Sequence, residues 1–133
     1  MTIEVNWDSE KHTIVRYVFQ KGWSWDEVDP AFKAAAALMD TVDYKVDVIM
    51  DFSLSSLLVP KGAFTHAQRA LSNPRHRNIA TTVVVGSRFV QAITDLARKV
   101  ARRSADEWEL MFTTTLAEAY NVLESRAKKG SVT

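Results

Sequence analysis

Two short apolar segments separated by a helical pattern constrain the fold of this chain more than any other feature. Residues 46–52 (VDVIMDF) and 79–85 (IATTVVV) are rich in β-branched side chains, and Gly86 follows the second segment as a turn signal. Continuous apolar runs of this length are typical of strands buried on both faces, as in parallel sheets. Between them, residues 63–71 place apolar side chains at helical spacing and end before a proline. The three segments predict a β-α-β unit built on a parallel sheet.

The N-terminal residues predict a β-hairpin. Ile3, Val5 and Trp7 alternate with polar residues, a period of two that is typical of a strand with one buried face. Residues 13–19 are rich in β-branched and aromatic side chains and predict the second strand. The polar residues 8–12 between them are too many for a two-residue turn, so the hairpin connection is expected to be longer.

Capping signals mark the first helix and leave two starting points open. Ser24 and Glu27 have the spacing of a capping box, in which each side chain satisfies a backbone amide of the other residue. Alternatively, Asp29 caps the helix and Pro30 is its first residue, because proline is tolerated in the first turn of a helix and not deeper.

The C-terminal part predicts a helix, a strand and a last helix. Ser87 caps a helix with an apolar face that includes Leu96, and residues 109–113 (ELMFT) predict the last strand. The final helix is expected to begin at Thr114 or Thr115, since Thr115 and Glu118 form another capping box. We expect it to end at residue 129, before a glycine.

The element order is β-β-α-β-α-β-α-β-α. It predicts an α/β fold with a mixed, mostly parallel five-stranded sheet, an N-terminal antiparallel hairpin and four helices. The chain has 133 residues, which is the size of one domain, so residues 1–133 are expected to form a single unit.

Composition narrows the classes of function and location. Hydrophobic residues make up 47% and charged residues 25%, both close to the average of globular chains, and the formal net charge is +1. A nearly neutral chain has no overall field that attracts nucleic acid. The chain has no cysteine, and no apolar run approaches the length that spans a membrane. We therefore expect a cytoplasmic protein without membrane insertion, without thiol chemistry and without nucleic-acid binding.

The element order and several local motifs resemble the SpoIIAA-like branch of the STAS and CRAL-TRIO-like domains over nearly the whole chain. The motifs are a Trp-Ser-Trp-Asp-Glu helix start, a strand ending in Asp-Phe-Ser, a Val-Val-Val-Gly strand end and a closing Phe-Thr-Thr segment, at residues 23–27, 51–53, 83–86 and 112–114. The resemblance implies a SpoIIAA-like fold and a regulatory binding module.

The phosphorylation switch of that family does not carry over. In the anti-sigma-factor antagonists of the STAS group, a phosphorylated serine precedes a glycine at a helix start. Here Gly62 stands where that glycine is expected, but Val59, Pro60 and Lys61 precede it. The resemblance therefore predicts the module without its phosphoserine.

Ligands in open parallel sheets usually bind outside the carboxyl ends of the strands, which here are the loops 51–60, 86–88 and 113–115. We expect these loops to lie along one edge. The candidate residues for binding a ligand or partner there are Asp51, Ser53, Ser55, Ser56, Leu57, Leu58, Ser87, Arg88, Thr114 and Thr115.

Two interpretations apply to the hydroxyl groups of this edge. With Arg88 and the two helix starts, they suit an anion such as phosphate or a lipid headgroup. The simpler alternative, which the sequence favours, is that serine and threonine cap helices and turns. Leu54, Leu57, Leu58 and Val59 make the same loop unusually apolar. They predict either a pocket or docking surface, or side chains tucked beneath the next helix.

Catalytic and metal chemistry lack support in the sequence. Asp51 has no second carboxylate or histidine at motif spacing, which favours a turn or cap residue. His12, His66 and His76 are not spaced as metal ligands, and no phosphate loop or dinucleotide fingerprint occurs. We expect no catalytic residues, no metal and no cofactor.

The expected function is a non-enzymatic, cytoplasmic binding or regulatory module with a protein partner. The alternative is a carrier or sensor of a small hydrophobic or anionic ligand such as a lipid. A homodimer is a further expectation, because the first hairpin strand is expected to form a sheet edge that can pair with a second copy.

Overall fold

The computed structural model describes residues 2–55, 62, 65, 66, 69, 76–100 and 109–132. The strands are β1 (Ile3–Trp7), β2 (Ile14–Phe19), β3 (Val46–Asp51), β4 (Ile79–Val85) and β5 (Glu109–Thr113). The helices are α1 (Val28–Met39), α2 (Arg88–Val100) and α3 (Leu116–Val132). All five predicted strands are present, which confirms the α/β fold.

The five strands form one sheet in the order β1-β2-β3-β4-β5. β1 and β2 are antiparallel, whereas the three following pairs are parallel. Because sequence neighbours are also sheet neighbours, β1 lies at one edge, as expected. Asp51 aligns with Val85, and Val85 aligns with Thr113, so the last three strands end at the same level.

The start of α1 settles the choice between its two predicted caps. A turn of 3-10 helix, Trp25–Glu27, follows Ser24, and the Glu27 carboxylate accepts a hydrogen bond from the Ser24 amide at 3.0 Å. Pro30 is the third residue of α1, where its missing amide hydrogen would have no partner within the helix. The alternative start at Asp29 is therefore wrong.

Two other helix predictions can be compared with the structure. The last helix continues to Val132, so the expected end at residue 129 is wrong. A glycine inside a helix costs only about 1 kcal/mol relative to alanine, and the good helix formers before Gly130 carry the helix through it. In the predicted helix 63–71, Thr65, His66 and Arg69 are helical, and the remaining residues lie outside the described part of the chain.

The sheet separates two apolar layers. Val15, Tyr17 and Phe19 of β2 pack with α1, together with Val46 and Val48 of β3. On the opposite face, α3 covers side chains of β3 and β4 through its buried residues Ala119 and Leu123. Gly86 joins β4 to α2 where a Cβ atom would lie 3.2 Å from Val90 Cβ and 3.3 Å from Phe52 Cβ. Only glycine allows this close approach without displacement of a neighbour.

One side chain of α2 departs from its expected position. The sequence pattern predicts Leu96 on the buried face of the helix, yet 53% of its surface is exposed.

No helix in the described part of the chain is long and apolar enough to cross a membrane.

Candidate functional site

The carboxyl ends of β3, β4 and β5 lie side by side along one edge of the sheet, as expected. The Phe52 amide donates to the Val85 carbonyl at 2.7 Å, and the Gly86 amide donates to the Thr113 carbonyl at 3.2 Å. These bonds extend the parallel ladders one residue past the strands. The segments that begin at Asp51, Gly86 and Thr113 therefore leave the sheet together and form a continuous rim, which we call the strand-end edge.

Asp51 is the most buried polar residue of this edge, with 1% of its surface exposed. Its carboxylate accepts a hydrogen bond from the Ser53 amide at 2.9 Å and forms an ion pair with Arg16 Nη2 at 2.8 Å. Burial alone would raise the pKa of Asp51, but the hydrogen bonds from Ser53 and Arg16 outweigh it and lower the pKa. Asp51 thus makes the predicted turn contact, with the Ser53 amide, and also forms an ion pair that the sequence does not predict.

Arg16 extends this polar contact across the α3 face of the sheet. It lies on β2 opposite Ile49, so its guanidinium reaches Asp51 at the end of the neighbouring strand. Farther along the same face, the Tyr120 hydroxyl of α3 forms a hydrogen bond with Asp8. Burial raises the pKa of Tyr120 to about 12, and the hydrogen bond to Asp8 adds to the shift. This phenol stays protonated at neutral pH.

Sequence reasoning missed Arg16, Asp8 and Tyr120 as members of a site. Arg16 and Asp51 are separated by 35 residues, and Asp8 and Tyr120 by 112 residues. No motif links them. The only usable signal is that Arg16 occupies an otherwise apolar strand, where a charged residue needs a partner.

The candidate serines of the first loop divide into those that the structure describes and those that it does not. Ser53 is exposed, whereas the Ser55 hydroxyl donates to the Phe52 carbonyl at 2.9 Å. Ser55 thus closes a turn, as the simpler interpretation predicts. Ser56, Leu57 and Leu58 lie outside the described residues, together with Val59 and Pro60.

The two helix starts of the edge are capped by their own residues. The Ser87 hydroxyl accepts a hydrogen bond from the Val90 amide at 3.3 Å, and the Thr115 hydroxyl accepts one from the Glu118 amide at 3.2 Å. The Glu118 carboxylate also accepts hydrogen bonds from the hydroxyls of Thr114 and Thr115. A carboxylate at the start of α3 occupies the place of an anionic ligand and repels one.

Arg88 is the remaining candidate cation of the edge, and it is exposed at the first position of α2. With Ser87 engaged as a cap, the contacts favour the capping interpretation over an anion site. This outcome agrees with the interpretation that the sequence favours.

Leu54 is the most exposed large apolar side chain in the described part of this edge. It follows β3 in a turn, and 60% of its surface is exposed. Two residues earlier in the chain, the Phe52 ring stacks on Phe19 with 4.0 Å between ring centroids and also contacts Trp23. The turn that presents Leu54 therefore begins at a residue whose ring is packed firmly against the core.

The described residues contain no group of three or more potential metal ligands.

Comparison with protein-family models, with curated proteins and with solved structures gives no match to this chain.

Proposed function

We propose that this chain is a non-enzymatic binding module that docks another protein at the strand-end edge, with Leu54 as the central contact. The observation that carries the proposal is the 60% exposure of Leu54 beside groups that are already engaged. Asp51 is neutralised by Arg16, and the hydroxyls of Ser87 and Thr115 cap helices. The edge thus offers an apolar contact in place of reactive groups.

The same proposal includes a cytoplasmic, regulatory role of the SpoIIAA-like kind. Its support is the order of the elements, the absence of cysteine from the sequence and the local motifs at residues 23–27, 51–53, 83–86 and 112–114. Self-association through β1 also belongs to it, since β1 is an edge strand.

A matched pair of leucine variants tests the docking surface. Leu54→Asp places a charge in the proposed contact, and Leu96→Asp makes the same change at a leucine of similar exposure on α2. A protein retained by the wild-type chain is identified by mass spectrometry, purified and titrated by calorimetry. We expect Leu54→Asp to weaken its binding by roughly tenfold or more, because a charge loses its hydration in an apolar contact.

Leu96→Asp is expected to bind the partner as the wild type does. If Leu54→Asp binds equally well, the strand-end edge is not the docking surface. Both variants are checked by circular dichroism and thermal unfolding, so that loss of binding is separated from loss of fold.

A carrier of a small hydrophobic or anionic ligand, such as a lipid, is the alternative. Mass spectrometry of the gently purified protein distinguishes the two functions. A stoichiometric bound lipid supports the carrier, whereas ligand-free protein that binds a purified partner supports the docking module. Turnover of a substrate that is lost in Asp51→Asn would contradict the non-enzymatic proposal.

A further inference from the structure

A cleft of about 200 Å³ lies beside the strand-end edge, between the start of α1 and the helical residues His66 and Arg69. α1 follows the carboxyl end of β2, and Trp23 links the two regions by contacting both Phe19 and Trp25. The cleft is a separate depression from the turn that carries Leu54. Neither its aromatic side chains nor its charged side chains take part in the proposed docking surface.

Three apolar side chains form part of the cleft wall and are firmly held. Trp25, Val28 and Phe32 line it, and all three are half-buried against the core beneath α1. The His66 ring stacks on Trp25, with 4.7 Å between centroids and 10° between planes. Phe32 packs edge-on against the buried Tyr17. Aromatic walls fixed in this way bind an apolar body without the cost of ordering them.

The described part of the cleft rim carries more negative than fixed positive charge. Asp26 and Asp29 are exposed lining residues, and Arg69 is the one arginine or lysine among the lining residues that the structure describes. Arg69 Nη2 lies 3.3 Å from Asp29 Oδ2, and both side chains are largely exposed. An exposed ion pair of this kind is worth at most about 1 kcal/mol, so an arriving cation can compete with Arg69 for Asp29.

We propose that this cleft binds a small organic cation that has an apolar body and one ammonium or guanidinium group. The apolar body contacts Trp25, Val28 and Phe32, while the charged group faces Asp26 and Asp29. The faces of Trp and Phe rings also attract cations through their quadrupoles. A volume below the range of about 300–1,000 Å³ that suits drug-sized ligands limits the occupant to a small molecule or a single side chain.

Paired probes of one shape and opposite charge test the proposal. 2-Phenylethylammonium and phenylacetate are titrated separately into isotopically labelled protein, and binding is followed by NMR. We expect the ammonium probe to shift the Trp25 indole and Val28 methyl signals. We expect its affinity to exceed that of the carboxylate probe by about tenfold, because the rim attracts one charge and repels the other.

Two variants are expected to move the affinity in opposite directions. Asp26→Asn removes one negative charge from the rim and should weaken binding of the ammonium probe roughly two- to fivefold. Arg69→Gln removes the competing cation and should strengthen it by a similar factor. Asp43→Asn makes the same charge change at an exposed residue outside the cleft and should leave the affinity unchanged.

Equal affinity for the two probes, or chemical-shift changes confined to residues outside the cleft, would overturn the proposal. So would absence of binding at millimolar probe concentrations. Weaker binding of the ammonium probe to Arg69→Gln would also overturn it, because removal of a competing cation cannot weaken a site that selects cations. Leu54→Asp is expected to retain probe binding, so failure of the docking proposal and failure of this one give different results.

Discussion

Asp51 combines near-complete burial with a negative charge, and this combination is stable because Arg16 lies 2.8 Å away. Taking an ion out of water costs several kcal/mol unless it is paired and hydrogen-bonded. The Ser53 amide supplies the second contact. The pair therefore fixes the end of β3 to the middle of β2 and holds the turn that carries Leu54.

Asp51→Asn is expected to destabilise the fold by roughly 2–4 kcal/mol at neutral pH, because Arg16 loses its counter-ion. The pKa of Asp51 is lowered in the folded state, so the charge stabilises the fold above the usual pKa of an aspartate. This stabilisation is lost as the pH falls through the lowered pKa. Urea unfolding of both proteins at neutral and acidic pH measures the difference.

Asp43→Asn serves as the control, because Asp43 is exposed and its replacement should cost little at either pH. A cost of Asp51→Asn that stays constant from neutral to strongly acidic pH would show that the charge of Asp51 does not stabilise the fold.

At the level of single residues, the sequence predicts local roles better than distant ones. The Thr115 cap was predictable because Glu118 lies within one helical turn of it. The pairing of Arg16 with Asp51 depends on the register of β2 against β3, which no local pattern contains. For the same reason, the stacking of His66 on Trp25 could not be predicted.

Among the structural elements, the turn before α1 is tied to the start of β1 by one carboxylate. Glu27 accepts hydrogen bonds from the Ser24 amide at 3.0 Å and from the Thr2 amide at 2.9 Å. The Thr2 hydroxyl donates a further hydrogen bond to the Glu27 carboxylate. This bond is the largest single cause of the lowered pKa of Glu27. The capping box thus has a second use, because it also anchors the edge strand.

Glu27→Ala is expected to destabilise the fold by about 1 kcal/mol, the usual cost of a lost helix cap. The local effect should be larger, because the start of β1 also loses its acceptor. Hydrogen exchange should therefore accelerate at residues 2–5 more than in the strands β3 and β4. Glu10→Ala, at an exposed hairpin residue, is the control. Unchanged exchange at residues 2–5 would show that Glu27 does not anchor β1.

Element bounds were predictable where sequence signals agree. The runs of β4 and β5 are apolar, and each ends at a turn or cap residue, so both strands have the predicted bounds. The end of α3 was not predictable, because one glycine is a weak stop signal. The exposure of Leu96 shows a related limit, since helical periodicity identifies an apolar face but not what covers it.

For the whole molecule, the proposed self-association depends on which backbone groups of the edge strand β1 point away from β2. The Gln20 amide donates to the Thr2 carbonyl and the Asp8 amide to the Ile14 carbonyl, so even-numbered residues of β1 face β2. In an antiparallel ladder the alternate residues, here Val5 and Trp7, direct their backbone groups outward. A dimer formed by antiparallel pairing of two β1 strands would therefore centre on Val5.

Val5→Pro is expected to convert such a dimer to a monomer, because proline removes the outward amide and leaves the hydrogen bonds to β2 intact. Sedimentation equilibrium over a range of concentrations measures the change. Val5→Thr keeps the amide and should remain dimeric. A wild-type chain that stays monomeric at every concentration would contradict self-association through β1.

The strand order has a consequence for the emergence of the chain from the ribosome. Every strand pairs with the strand made immediately before it, so the sheet can grow at one edge as synthesis proceeds. Among the described strands, none has to wait for a later one to be inserted between it and its neighbour. The connections between successive parallel strands are each shorter than 30 residues, so each pairing closes a shorter loop than a pairing of strands far apart in the chain would. This topology suits a fold that assembles in step with translation, with α3 closing its second face last.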